Sequence, residues 1–250
     1  MPEIKNGPVT IHYKEAGSGF PLLVLPGGGL NATIEGLADH AFNPLHVFCD
    51  THRVIALDIR NANEGRTKGP LDIERTWEAF TDDQLNLMDH LGLDQFMVLG
   101  FCIGGPMIWN LLKRAGNRVV AAVLVHPSGY ISSHPNIFVD LNKRGWAPRF
   151  MESQPKVTEV MISEFLDNMY TSRADFVFTV DRNFVRNCQT PVLILPDDIP
   201  PHPYLTAMET ALLAPNSQVS LYPWKENDRK IKIALNHIRG FLGTNTHINA

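Results

Sequence analysis

The chain has 250 residues, 44% of them apolar and 19% charged, enough to bury one large core or a core plus a small accessory layer. Its net charge of −4 and lack of long like-charge runs exclude a nucleic-acid or membrane-surface footprint. The N-terminal MPEIKNGPVTIHYKEAG has no apolar core of its own, so neither a signal peptide nor a spanning helix is expected. Three widely spaced cysteines, Cys49, Cys102 and Cys188, form no CxxC pair and no disulfide framework, which points to a reducing cytoplasm.

In chain order, short apolar runs alternate with amphipathic stretches. FPLLVLP (20–26), RVIALDI (53–59), FMVLG (96–100), VVAAVLV (119–125), PVLILP (191–196) and QVSLYP (218–223) read as strands. Their continuous apolarity suits a parallel sheet covered on both faces. Helical patterns occupy 76–92, 106–116, 202–216 and 228–243, with Gly92, Gly116 and Gly243 where the helices should stop. The expected fold is α/β, a doubly wound, mostly parallel sheet. Residues 133–189 break the rhythm with helical patterns such as KVTEVMISEFLDNMY and many aromatics. They read as a helical cap inserted into a core made of 1–132 and 190–250.

The stretch VLGFCIGG (98–105) is a strand running into a glycine-rich turn with Cys102 at its apex. Glycines 100, 104 and 105 permit a sharp strand-to-helix reversal that projects the apex side chain outward. The helix that follows presents its positive end to the sulfur and lowers the thiol pKa. A thiolate is a strong nucleophile and leans less on a base than a serine does. LPGGGL (25–30) follows another strand, and the N–H groups of Gly28 and Ile103 are the candidate oxyanion donors.

These motifs resemble the α/β-hydrolase superfamily over nearly the whole chain. PGGG (26–29) sits where that family carries its His-Gly oxyanion turn, and DIRNANEGRT (58–67) resembles its Asp-x-Arg-Gly-x-Gly-x-Ser loop. LMDHLGL (87–93) and GFCIGG (100–105) resemble its helix and nucleophile elbow. The cysteine elbow is similar to that of dienelactone hydrolases, and the capped layout to esterases, C–C hydrolases and iminopeptidases. The resemblance implies an acid after the strand at 191–196, where Asp197 and Asp198 stand, with Asp198 favoured. It also implies a histidine after the last strand, but YPWKEND (222–228) has none.

A base must come from elsewhere. His202 in DIPPHP (198–203) is the first candidate, set in a proline-stiffened loop beside the two carboxylates. Its alternative is an exposed first residue of the 202–216 helix. Lys225 stands in the vacated loop and could act if desolvated, though a solvated lysine is the simpler reading. His237 falls in the final helix, and Cys49, Cys188, His52 and His134 have no constellation around them. His126, after the strand at 119–125, and the aromatics Trp146 and Phe138 are candidate substrate contacts, with a structural role the alternative for His126.

The resulting expectation is a cofactor-free, metal-free hydrolase of a small carboxylic ester or lactone, with Cys102 as nucleophile and His202 with Asp198 handling protons. Its partner would be a small apolar or aromatic molecule, and self-association as a homodimer is compatible with the sequence. A ligand sensor on a degenerate scaffold, and a lyase or C–C hydrolase, are the alternatives.

Overall fold

The computed structural model describes residues 2–246. Its strands are β1 (Glu3–Asn6), β2 (Val9–Ala16), β3 (Phe20–Leu25), β4 (His52–Leu57), β5 (Phe96–Phe101), β6 (Val119–Val125), β7 (Val192–Leu195) and β8 (Ser217–Val219). The helices are α1 (Pro44–Val47), α2 (Thr76–His90), α3 (Gly104–Ala115), α4 (Ile137–Gly145), α5 (Ala147–Ser153), α6 (Glu159–Leu166), α7 (Arg182–Asn187), α8 (Tyr204–Leu213) and α9 (Asp228–Asn245). The strands form one sheet in the order β1-β2-β4-β3-β5-β6-β7-β8. The β1–β2 and β2–β4 pairs are antiparallel and the rest parallel.

The apolar runs serve both faces because successive side chains point to opposite sides of a strand. Leu23, Leu25, Val98, Ala122 and Leu124 pack into the core with α2 and α3. Their neighbours Leu22, Val24, Met97, Leu99 and Val123 pack on the other face against Ala234, Ile238, Phe241 and Leu242 of α9. The doubly wound expectation therefore matches the observed sheet.

The sequence patterns gave no reading of the β1–β2 hairpin, which turns at Gly7 and Pro8 with Gly7 at φ +56°. Helix α3 begins at Gly104 instead of residue 106, leaving Pro106 in the first turn, where no N–H is needed. Helix α9 runs through Gly243 to Asn245. Helix α8 begins only at Tyr204, and His202 precedes it in a tight turn closed by reciprocal Ile199 and His202 backbone bonds.

Between β6 and β7 the chain forms α4, α5, α6, a π-helical turn (Asp167–Thr171) and α7. Side chains tie this insertion to loops at the carboxyl ends of β3 and β4. Asn142 Oδ1 accepts the Leu30 N–H at 3.3 Å, and Asn31 Nδ2 donates to the Gly145 carbonyl at 3.0 Å. Trp146 Nε1 donates to the Asn61 carbonyl at 2.9 Å, and Asn63 Nδ2 to the Trp146 carbonyl at 3.1 Å.

The loop after β4 is rigid for an electrostatic reason. The buried Asp58 carboxylate accepts the N–H groups of Ile34 (2.8 Å) and Arg66 (2.7 Å). Two residues on, the Arg60 guanidinium grips Asp83 of α2 through two donors, Nη2 to Oδ1 at 2.6 Å and Nε to Oδ2 at 2.9 Å. Both side chains are buried. Such a pair adds little over an apolar one, but losing one member strands the other charge. Arg60→Ala should therefore lower stability by about 3–5 kcal/mol. Urea unfolding should show a lower midpoint with an unchanged slope.

Candidate active site

Cys102 sits at the bend between β5 and α3 with φ +51°, a conformation that costs a non-glycine residue about 1–3 kcal/mol. Three backbone bonds hold it there. Its N–H donates to the Val125 carbonyl (3.1 Å), and its own carbonyl accepts the N–H groups of Gly105 (2.9 Å) and Ser128 (2.9 Å). The flanking glycines make the bend possible by close approach. A Cβ on Gly100 would lie 2.8 Å from the Gly104 carbonyl oxygen, and one on Gly105 would lie 2.5 Å from Pro127 Cβ. The residue as a whole is half-buried.

The Ser128 hydroxyl lies within hydrogen-bonding distance of the Cys102 thiol, with Sγ and Oγ 3.4 Å apart. His202 stands beside it from the loop after β7. His202 Nδ1 meets Asp197 Oδ2 at 3.2 Å, which leaves Nε2 buried and without a hydrogen bond of ordinary geometry. Lys225 Nζ reaches the same Asp197 oxygen at 2.6 Å. The expectation that Asp198 partners His202 is thus corrected. Asp198 is exposed, whereas Asp197 is buried and turned inward. Successive residues of an extended segment point to opposite sides, so only one of the two carboxylates can face the ring. Lys225, in the loop where the resemblance implies a histidine, is a half-exposed partner of the acid.

The charges in this group reinforce one another. Burial raises the Cys102 thiol, but the neighbouring His202 charge, the Ser128 hydroxyl and the Gly28 N–H outweigh it and bring the pKa to about 7. Burial depresses His202, but Asp197 and the sulfur outweigh it and lift the ring to about 9. Burial likewise acts against the Asp197 charge, yet the bonds to His202 and Lys225 hold its carboxyl well below the usual carboxylate range. The two shifts of Cys102 and His202 run in opposite directions, and each group favours the charged form of the other.

Gly28 has φ +122° in the turn after β3, and Ile103 is the residue preceding α3. Among the described residues neither amide donates to a backbone carbonyl.

The three expected substrate contacts fare differently. Phe138 joins an aromatic box, stacked on Tyr170 at 5.1 Å and edge-on to Phe178 at 5.4 Å, with Trp77 5.8 Å from Tyr170. Burial raises the Tyr170 phenol, and the Cys102 charge adds to the rise. Trp146 is a correction, being only 2% exposed with its N–H spent on Asn61 and its ring stacked on Phe150 at 4.7 Å. It fastens the insertion to the core. His126 is also buried, 4.7 Å from the His202 ring, 5.7 Å from His40 and stacked on Trp224 at 5.9 Å. Burial, then the cations His202 and Lys225, push its pKa well down, so it stays neutral. Its Nδ1 is buried without a hydrogen-bond partner among the described residues.

Sequence reasoning passed over Ser128 and His40. His40 stacks on Phe101 at 4.4 Å, and its ring leaves no room for a side chain at Gly27. Ser128 carried one usable signal, its place two residues after His126 at the carboxyl edge of the sheet. His237 meets Gln218 at 2.9 Å on the exposed face of α9, away from this group. No helix among the described residues is long and apolar enough to cross a membrane. No cluster of three or more His, Cys, Asp or Glu fit to hold a metal occurs among those residues.

Comparison with known proteins bears on this arrangement. A family model described as the alpha/beta hydrolase fold matches residues 21–223. The chain is 34% identical over 128 residues to a putative non-heme haloperoxidase of Mycobacterium phage D29, covering 49% of this chain and 41% of that protein. It is 29% identical over 119 residues to carboxylesterase YbfK of Bacillus subtilis, covering 47% and 38%. The chain spans under half the length of these curated relatives. Among solved structures, the meta-cleavage product hydrolase CumD of Pseudomonas fluorescens IP01 superposes with a TM-score of 0.70 at 14% identity, covering 98% of each chain. The enol-lactonase of Burkholderia xenovorans LB400 gives 0.65 at 18% identity, covering 97% of this chain and 100% of that one. At such identities these structures share the fold alone. The matched family span takes in the turn at Gly28, the Cys102 elbow and the Asp197–His202 loop, and the chain belongs to the alpha/beta hydrolase fold family.

Proposed function

We propose that the protein is a hydrolase of small carboxylic esters or lactones that works through a covalent thioester on Cys102. The observation that carries this reading is the line of charge from Asp197 through His202 to Cys102, at the strained bend after β5. The thiolate adds to the substrate carbonyl carbon, and the electron pair displaced onto oxygen is met by the N–H groups of Gly28 and Ile103. The C–O bond then breaks as His202 gives its proton to the leaving oxygen. Once acylated, the sulfur carries no charge, and His202 loses one of the two partners that raise its pKa. The neutral ring accepts a proton from water, whose oxygen adds to the thioester carbon. Collapse expels the sulfur with its electron pair and releases the acid.

A thiolate of pKa about 7 leaves more readily than an alkoxide. Unactivated alkyl esters therefore return to substrate from the tetrahedral stage more often than esters with acidic leaving groups. Enol and phenol leaving groups fit this constraint, and the nearby aromatic rings of Phe138 and Tyr170 favour an apolar substrate. In this reading helices α4–α7 are a cap over the site.

Incubation with an aryl ester should give an acyl adduct on Cys102 by intact mass, and Cys102→Ala should abolish both adduct and turnover. Ligand binding with no adduct would favour the sensor alternative. The profile of kcat/KM against pH should be bell-shaped. It should rise through about 7 as the sulfur ionises and fall through about 9 as His202 loses the proton it donates. In His202→Gln the thiolate absorbance should titrate at a higher midpoint, approaching the free-thiol value of about 8.5.

A further inference from the structure

The hydroxyl of Ser128 stands apart from the residues used so far. It is 3% exposed, and its one hydrogen-bond partner among the described residues is the Cys102 sulfur, 3.4 Å away. A buried hydroxyl needs a partner. The loop itself does not depend on this one, because the Ser128 backbone N–H already donates to the Cys102 carbonyl at 2.9 Å. Residues 126–129 are further fixed by the His126 N–H on the Leu195 carbonyl (2.8 Å), and Gly129 lies so close to Thr206 that a Cβ there would come within 2.6 Å of Cγ2. The hydroxyl is therefore delivered to the sulfur by a rigid loop with no structural need for it.

We propose that Ser128 is a further catalytic residue, whose O–H donates to the Cys102 sulfur whenever that sulfur carries negative charge. This rests on the reading of Cys102 as nucleophile. Two moments in the cycle have such a charge. In the free enzyme the donor stabilises the thiolate, as its contribution to lowering the Cys102 pKa indicates. In thioester breakdown the C–S bond breaks, the sulfur takes the electron pair, and Ser128 hydrogen-bonds to it without giving up its proton. His202 handles the proton and Ser128 handles the charge.

The other groups facing the sulfur are known. His202 faces it from the loop after β7, with Asp197 and Lys225 behind the ring. The Gly28 N–H also favours the charged form of the sulfur, and that charge helps raise the buried Tyr170 phenol of the π-helical turn. His126 and His40 lie beyond His202 and stay uncharged because burial lowers both. The Asp197 bonds to His202 and Lys225 do not involve the Ser128 oxygen.

The test titrates the thiolate by its ultraviolet absorbance in the wild type, Ser128→Ala and Ser128→Thr, with folding verified by circular dichroism. Loss of a hydrogen bond to a charged group should raise the midpoint in Ser128→Ala by about one unit, and Ser128→Thr, which keeps the hydroxyl, should restore most of the shift. Acylation by an aryl ester below the midpoint should slow about tenfold in Ser128→Ala, with the thiolate fraction, and approach the wild-type rate above it. A folded Ser128→Ala protein with an unshifted midpoint and the same acylation profile would overturn the proposal. If the midpoint moves as expected but no acyl adduct forms even in the wild type, the hydrolase reading fails and the Ser128 hydrogen bond stands.

Discussion

The site depends on one arrangement of charge, in which Asp197 is shared by His202 and Lys225 while His202 is shared by Asp197 and Cys102. Counted as ions, the two anions and two cations cancel, so the cluster is held in a partly desolvated place without a net charge to bury. Asp197 and Cys102 both favour the charged form of His202. Lys225 matters here through its bond to Asp197. By occupying one face of the Asp197 oxygen it keeps the carboxylate charged, and the charged carboxylate keeps the imidazole protonated.

The backbone supplies what the charges need. Strain at Cys102 is borne by its bonds to Val125, Gly105 and Ser128, which knit the β5–α3 bend to the end of β6. His126, with φ +37°, carries a second strained position at the same edge. Strain of this kind persists only where surrounding contacts over-determine it. The sheet provides them, since β5 and β6 lie at its centre, buried on both faces. The Cys102 bend is thereby tied to strands buried on both faces of the sheet.

The loop between β7 and α8 solves a topological problem. A histidine after the last strand would approach the sulfur from the neighbouring loop. Here the ring comes from the loop that also carries the acid, only five residues from Asp197. Such close spacing works because the chain reverses between Ile199 and His202, through Pro200 and Pro201, and brings the ring back over the carboxylate. Pro203 then starts the approach to α8 in an extended conformation, which keeps His202 out of the helix.

The sequence by itself determined the central strands, the helices between them, the glycine bend and the thiol at its apex. Those follow from local rules: apolar runs of strand length, helical periodicity, and the backbone freedom of glycine. It also pointed to His202, because prolines and carboxylates around a histidine are a local signature. It did not reveal the β1–β2 hairpin, where the apolar signal is short and only one edge is paired to the sheet. The choice between Asp197 and Asp198, the pairing of Lys225 with the acid, the burial of Trp146 and the approach of Ser128 to the sulfur were decided by tertiary structure alone. Each depends on which way a side chain points from a loop, and on a neighbour that can be 26 or more residues away in the chain. Pattern along the chain fixes where strands and helices form, but only their packing fixes which loop atoms meet.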